Sequence, residues 1–312
     1  MAEFKESNFV SVVVYLRNGA DRIESFLRGI NEVFSENFKK YEIIFVNDSS
    51  VDNSVEIIKK ITAEIEGPML SVLNMSYYQG VEQAMNAGVD LAIGDFVFEF
   101  DGTALDFELD LVMEVYRRSL AGYDIVIASP KGRSRETSKL FYLIYNKFSK
   151  TAYPIRTESF KILSRRVINR VGAMSSTIPY RKALYSNCGL KQDTIYYNPT
   201  HERNDLGQDE LQMRKDVALN SLILFTDVAY KATFGMALLM MILTVAIGIY
   251  TVAIFFGETP VAGWTTTMLF LSISFFGVFA ILAIIIKYLT VLMNLIFQRQ
   301  NYVVESLEKI TR

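Results

Sequence analysis

From Ala232 to Ile286 the only charged residue is Glu258. Two apolar runs fill this stretch, about Ala232–Phe256 and Thr265–Ile286. Each exceeds the roughly 20 residues a helix needs to cross a hydrocarbon core. Between them lies Gly257-Glu258-Thr259-Pro260-Val261-Ala262-Gly263-Trp264. Gly257, Pro260 and Gly263 are turn residues, and Trp264 is of the type that anchors at a membrane interface. The pattern predicts a transmembrane helical hairpin, because core helices of soluble proteins are rarely so long and so free of charge. Flanking bases orient it. Arg214, Lys215 and Lys231 precede the first run, Lys287, Arg299, Lys309 and Arg312 follow or close the second, and the connecting loop has no Lys or Arg. An excess of bases on one side marks the cytoplasmic face. Met1–Asn8 is polar, and Phe9–Leu16 is too short for the apolar core of a signal peptide. The expectation is a multi-pass protein of the inner (plasma) membrane, with both termini and residues 1 to about 230 in the cytoplasm.

Composition excludes several function classes. Lys+Arg 32 against Asp+Glu 34 leaves a net charge of -2. A nucleic-acid-binding chain normally carries a basic excess, so no nucleic-acid partner is expected. Cys188 and His201 are the sole residues of their kinds. That rules out an intrachain disulfide and leaves almost no route to a Cys/His zinc site. The two runs carry no intramembrane charge to mark an ion or transport pathway.

The first half of the chain alternates two periodicities. Phe9–Leu16, Tyr41–Val46, Met69–Met75, Phe96–Phe100 and Asp124–Ala128 are apolar runs of strand length. Between them, Asp21–Phe34, the segment from Asp52, about Gln79–Ala92 and Phe107–Leu120 have helical spacing. The alternation predicts an α/β fold with a mostly parallel sheet covered on both faces. Ligands of such sheets bind outside the carboxyl ends of the strands. The polar residues at those ends are Asn47, Asp48, Asp101 and Asp106. From about 130 the pattern is less regular. Lys131–Arg135 is a basic loop, and Ser138–Lys150 is a basic amphipathic helix that either lies in the membrane interface or packs on the sheet. Leu211–Lys231 is a second amphipathic stretch leading into the first apolar run.

With Asn47-Asp48, Asp101 and the hairpin in place, the chain resembles family-2 glycosyltransferases of the GT-A fold. More narrowly, it is similar to bacterial polyisoprenyl-phosphate glycosyltransferases, relatives of dolichyl-phosphate mannose synthase. The resemblance runs through YEIIFVNDSSVDNS at 41–54, Gly80-x-Glu82 with Ala87-Gly88 and Gly94-Asp95, SKLFYLIYNKFS, FKILSRRVI and GLKQDTIYY. It implies a GT-A domain over residues 1–210, an amphipathic juxtamembrane helix over 211–231, the hairpin over 232–297 and a cytoplasmic C-terminal tail over 298–312. It also implies transfer of a sugar, with inversion, from a nucleotide sugar to a polyprenyl-phosphate lipid for envelope polysaccharide or glycan synthesis. The expected cofactor is Mg²⁺ or Mn²⁺, and the expected assembly is a homo-oligomer, a tetramer. A catalytically impaired paralogue serving as a binding or accessory membrane protein is the alternative.

The resemblance also assigns roles. Asn47, Asp48, Asp101 and Thr103 fall on the nucleotide-sugar site, with Asp48 matching the acid that contacts the base. Asp101 matches the first acid of an Asp-x-Asp motif that binds ribose, diphosphate and metal, and Thr103 stands in place of the second. Asp106 and Glu99 are the acids placed to support Asp101 at a metal, which hard cations require as oxygen ligands. Each has another reading: Glu99 as an acid paired with a cation behind the sheet, Asp106 as a helix cap. Arg133, Arg135, Lys161, Arg165 and Arg203 are the cations available to a lipid phosphate. Other positions depart from the family pattern. Tyr15-Leu16-Arg17-Asn18-Gly19 replaces Pro-x-Tyr-Asn-Glu, Ser159 replaces an acceptor-side Asp, and Glu210 replaces a phosphate-pairing Lys.

Overall fold

The computed structural model describes residues 5–65, 68–132, 136–149, 152–174, 180–200, 215–222, 264–297 and 302–310, with scattered positions between 231 and 246. The chain divides into two compact units. One holds residues 1–146, 151–218 and 298–312, the other residues 147–150 and 219–297.

The first unit is built on eight strands. In chain order its elements are β1 (Val10–Leu16), α1 (Ile23–Asn37), β2 (Tyr41–Asn47), α2 (Ser54–Glu64), β3 (Met69–Met75), α3 (Val81–Leu91), β4 (Phe96–Phe100) and α4 (Asp110–Leu120). They continue with β5 (Ile125–Pro130), α5 (Glu136–Phe148), β6 (Phe160–Ser164), α6 (Arg165–Met174), α7 (Arg181–Asn187) and β7 (Gln192–Tyr197). After α8 (Trp264–Phe297), which belongs to the second unit, β8 (Val304–Ile310) returns to the first. The strands lie in the order β7, β5, β6, β4, β1, β2, β3, β8. β1 pairs in parallel with both β2 and β4, β2 with β3, and β5 with β7. β6 runs antiparallel between β4 and β5, and β8 antiparallel to β3.

Central position explains composition. Every residue of β1 is buried, as a strand covered on both faces requires. On one face, Phe26, Leu27, Ile30 and Phe34 of α1 join Phe98, Phe100, Phe107 and Phe160 in one core. The rings of Phe26 and Phe100 meet edge to face at 5.4 Å, and Phe100 stacks on Phe160 at 4.9 Å. On the other face, Met85, Ala87 and Val89 of α3 cover Val13, Ile44 and Val46. Gly88 allows this approach. A Cβ there would stand 2.4 Å from Val13 Cγ1 and 2.6 Å from Val46 Cγ2.

One sequence expectation changes. Residues 298–312 are not simply a tail: Val304–Ile310 pairs along β3 from Leu70 to Met75. The segment is short and carries Glu305, Glu308 and Lys309, a composition suited to an edge strand and easily taken for a tail. The amphipathic helix before the first apolar run is described only over 215–222, where the backbone is helical.

No membrane-crossing helix is established among the described residues. The first apolar run lies mostly outside them. α8 is described as 34 residues of continuous helix with Lys287 its one charged residue, but many of its side chains are outside the described set. Within the second unit, Met240 of the first run lies against Gly277 of α8, its Sδ 2.8 Å from where a Cβ would stand.

Candidate functional site

The carboxyl ends of β1, β2 and β4 open side by side, and three short loops leave them. The loop after β1 puts Asn18 at φ 47°, and the loop after β2 puts Ser49 at φ 56°. Side chains other than glycine seldom adopt this left-handed conformation, and it clusters at functional sites. Asp48 is fully buried between these loops. The backbone N–H groups of Gln79 and Gly80 donate to its Oδ1 and Oδ2, each at 2.8 Å, and the Tyr15 hydroxyl donates to Oδ2 at 3.0 Å. Burial pushes its pKa up, and these donors with Arg17 only partly offset that. Gly80 supplies φ 87°, which turns its N–H toward the carboxylate. Arg17 donates to the carbonyls of Asp48 and Ser49 at 2.6 and 3.1 Å and lies 3.8 Å over the Tyr78 ring. Asn47 joins β2 to β3, donating to Asn74 Oδ1 at 2.9 Å.

The returning C-terminal segment reaches this loop. Gln79 Nε2 donates to the Val303 carbonyl at 2.7 Å, and the Val303 N–H donates to Gln79 Oε1 at 2.8 Å. The residue whose backbone holds Asp48 is therefore pinned through its side chain by the approach to β8.

The end of β4 is built differently. Glu99 has no exposed surface. Lys161 stands directly opposite it on β6, with its Nζ 3.3 Å from Glu99 Oε2. Arg181, the first residue of α7, forms an ion pair with the same oxygen, and the Tyr185 hydroxyl donates to Oε1 at 2.7 Å. Lys161 also pairs with Glu158, and Lys182 lies 3.5 Å from Glu158. Glu82, in the first turn of α3, accepts the Arg181 backbone N–H at 2.8 Å. Burial opposes charging Lys161, yet Glu158, Asp101 and Glu99 outweigh it and raise its pKa above the ordinary lysine value. Burial is likewise outweighed at Arg181, chiefly by Glu99, and at Lys182, chiefly by Glu158; Asp101 raises both further. Burial pushes Glu82 toward its neutral form, partly offset by Arg181.

Asp101 sits half-buried at the rim of this cluster, within electrostatic reach of all three cations. Thr103 is buried against the first loop, its Oγ1 3.1 Å from where a Cβ on Gly19 would stand. Asp106 accepts the Tyr197 hydroxyl at 2.9 Å, and Ser159 Oγ lies 2.5 Å from that hydroxyl and 3.5 Å from Asp106 Oδ2.

Placement sorts the sequence-derived residues. Asn47, Asp48, Glu99, Asp101, Thr103 and Asp106 all gather at the strand ends. Glu99 takes the second of its two readings, an acid held by cations. Asp106 lies outside α4, which begins at Asp110, and its side chain binds Tyr197 rather than capping that helix. Lys161 is buried in two ion pairs and does not face a lipid headgroup. Arg165 is at the opposite end of the sheet, because β6 runs antiparallel to β4. There its guanidinium donates to the carbonyls of Ala92 and Gly94. Arg133, Arg135 and Arg203 lie outside the described residues. Sequence reading missed Arg181, Lys182, Tyr185 and Tyr197. A signal was present: an acid within Phe-Val-Phe-Glu-Phe must find a buried counter-charge.

A divalent cation fits this donor set poorly. Among the described residues no three acids, histidines or cysteines come together as a metal site. Glu99 is committed to Lys161, Arg181 and Tyr185, and Asp106 to a hydroxyl pair. Asp101 is the acid that remains, and three protein cations already act on it.

A family model for glycosyl transferase family 2 matches residues 11–172, slightly more than half of the chain. An uncharacterized glycosyltransferase of Bacillus subtilis is 24% identical over 95% of this chain and 93% of its own length. A prophage bactoprenol glucosyl transferase homolog of Escherichia coli is 29% identical over 60% of this chain, and an uncharacterized glycosyltransferase of Synechocystis 28% over 61%. Those two matches span about 60% of the relatives' own lengths. Among solved structures, a mannosyltransferase of Pyrobaculum calidifontis in complex with GDP-Man and Mn²⁺ superposes with TM-score 0.53, 16% identity and coverage of 91% of this chain and 88% of that one. This likeness fixes the architecture as GT-A. With its wound sheet, its strand-end loops and the match over residues 11–172, the chain belongs to glycosyl transferase family 2.

Proposed function

We propose that this protein transfers a sugar from a nucleotide sugar to a polyprenyl-phosphate-type lipid at the inner membrane. The observation that carries the reading is the crevice at the ends of β1, β2 and β4, where Asn47, Asp48 and Asp101 converge on the side from which such sheets bind ligands. The lipid side rests on the apolar runs and on relatives named bactoprenol glucosyl transferase. α5 supports it. Tyr145 and Asn146 fix the helix, with Asn146 exchanging hydrogen bonds with Ile155, while Leu140 and Leu143 are 59% and 63% exposed beside Lys139. An exposed apolar face beside a lysine suits a helix resting in a membrane interface. The acceptor is already an anion and requires little deprotonation, so positioning and charge compensation are the main demands on the site. In this reading both termini are cytoplasmic, the loop at Glu258 is outside, and the protein assembles as a homo-oligomer.

The test is the purified, detergent-solubilised chain with undecaprenyl phosphate and radiolabelled UDP-glucose, GDP-mannose or a dTDP-sugar. Label should move into the lipid phase with one donor. One observation favours the impaired-paralogue reading: Ser159 occupies the acceptor-side position, and its hydroxyl is engaged with Tyr197. Donor binding without lipid-linked product, from any of these donors, would establish that reading instead.

A further inference from the structure

Asp48, matched by sequence to an acid that contacts a nucleobase, is closed to a ligand. Its side chain has no exposed surface, and its two oxygens accept the Gln79 and Gly80 N–H groups and the Tyr15 hydroxyl. A base could reach this carboxylate only by displacing one of those donors. Asp52, the next acid along the same loop, is engaged in the same way. It accepts the Ala20 N–H at 2.9 Å and the Ser54 hydroxyl at 2.5 Å. Both acids hold the loops together.

Arg17 is placed differently. It directly follows β1, and its guanidinium reaches across the ends of three strands. It donates to the carbonyls of Asp48 and Ser49 after β2, and it lies 3.8 Å from the centre of the Tyr78 ring, in the loop after β3. One face of the guanidinium thus rests on a ring, while the side chain stays only half-buried. The exposed remainder lies beyond the strand ends, on the side from which such sheets bind ligands. Strained backbone frames it: Asn18, the next residue, has φ 47°, and Ser49, whose carbonyl Arg17 binds, has φ 56°. Such strain persists where the surroundings fix a functional geometry.

Donor chemistry narrows the occupant. A guanidinium has N–H donors and no acceptor. It can stack under a flat ring and bond the ring's carbonyl oxygens, but it cannot accept the ring N–H of uracil, thymine or guanine. Resting on the proposed donor reading, we infer that the base of the nucleotide sugar stacks on the Arg17–Tyr78 pair and is read through its face and its carbonyl oxygens, with Asp48 bracing the loop beneath. Arg17 then determines the contribution of the base, and the ring N–H goes unread.

The experiment is calorimetric titration of the solubilised full chain, in millimolar Mn²⁺, with UDP, dTDP and GDP. Two further probes are the form of the tightest binder methylated at its ring N–H, and the base-free ribose diphosphate, measured by competition. The methylated nucleotide should bind wild type within about threefold of its parent. Arg17→Met should weaken the parent nucleotide about tenfold or more while leaving ribose diphosphate within about threefold, so that the advantage given by the base collapses. Arg17→Lys should not restore it, because an ammonium has no flat face. A loss of more than about tenfold on methylation would show that an acceptor reads the ring N–H, and would overturn the inference while leaving the proposed function standing. Equal weakening of nucleotide and ribose diphosphate by Arg17→Met would reduce Arg17 to a pin between loops, with the same consequence. The methylation result is read on wild type, so it decides the matter even where Arg17→Met folds poorly. No binding of any of the three nucleotides would overturn the proposed function and this inference with it.

Discussion

The carboxylates at the ends of β2 and β4 are equally buried and are satisfied by different chemistry. Asp48 is held by neutral donors, two backbone N–H groups and a phenol. Glu99 is held by two full charges and a phenol. Neutral donors are supplied by the local fold: the loop into α3 needs only Gly80 in its unusual conformation and Gln79 in place. Full charges must come from elsewhere, and they come from β6 and α7. The first end is thus assembled within the wound half of the chain, and the second requires the region after residue 150 to be in place.

The same contrast sets the cost of breaking each end, and the largest effect belongs to β4. Lys161→Met strips an ammonium from Glu99 and Glu158 and leaves buried charge short of a partner. Such removals cost about 3–5 kcal/mol. Urea unfolding of the solubilised chain measures it. Adding Glu99→Gln to Lys161→Met should recover about 1–3 kcal/mol, since the two groups are coupled. A loss below about 1 kcal/mol from Lys161→Met would show that the pair is no more than a screened surface contact. The pH dependence follows from the raised pKa of Lys161. Its contribution is fully present below the ordinary lysine value of 10.5 and is lost as pH rises toward the higher folded value. Wild type should therefore lose stability above pH 10.5 in a step that Lys161→Met lacks.

Asp48→Asn comes next. The amide fits the space but turns an N–H toward one of the three donors, leaving a buried group without an acceptor at about 1–3 kcal/mol. Here the pH sign is set by an acid whose folded pKa lies above its ordinary 3.8. The stability associated with the neutral acid is present below 3.8 and is lost as pH rises through the folded value. The stability advantage of wild type over Asp48→Asn should then be largest below pH 3.8 and shrink as pH rises through the folded value. A difference constant across the acid range would mean that Asp48 titrates with its ordinary value.

The comparison also explains what was legible. β1 to β5 and α1 to α4 carry their patterns in local sequence, because each strand is largely buried and each helix is buried on one face. The strands Met69–Met75 and Phe96–Phe100 therefore have the expected boundaries. The positions of Asn47, Asp48 and Asp101 follow from that order of strands. β6 is a short apolar run and β7 opens on Gln192-Asp193-Thr194, and both sit in a segment with no helix–strand alternation to frame them. Their antiparallel and parallel partners are fixed by long-range pairing that no periodicity shows. β8 was hidden for another reason. An edge strand is allowed to be charged, so Val304–Ile310 has no apolar signature. The partners of Glu99 were illegible for the same reason as β6: Lys161 and Arg181 meet it only after that pairing forms.

Gln79→Ala probes the link between the first strand end and the C-terminal return. It removes both hydrogen bonds to Val303 and leaves the backbone N–H that serves Asp48 in place. The expected loss is about 1–2 kcal/mol, with faster amide exchange across β8 and little change across β4. Equal exchange changes at both ends would mean that the two assemblies are not separate.

The smallest effect is expected at Tyr197. Its hydroxyl joins Asp106 to Ser159, so Tyr197→Phe deletes one donor to a buried carboxylate. Ser159 remains as a second donor at 3.5 Å and can close on Asp106 once its own partner is gone. The net cost should therefore stay near the value of a single neutral hydrogen bond, about 1 kcal/mol. If Tyr197→Phe instead costs as much as Lys161→Met, Asp106 must be compensated through this hydroxyl alone. The strand end would then depend on β7 as strongly as on β6, and the division between a locally assembled end and a charge-assembled one would have to be redrawn around β7.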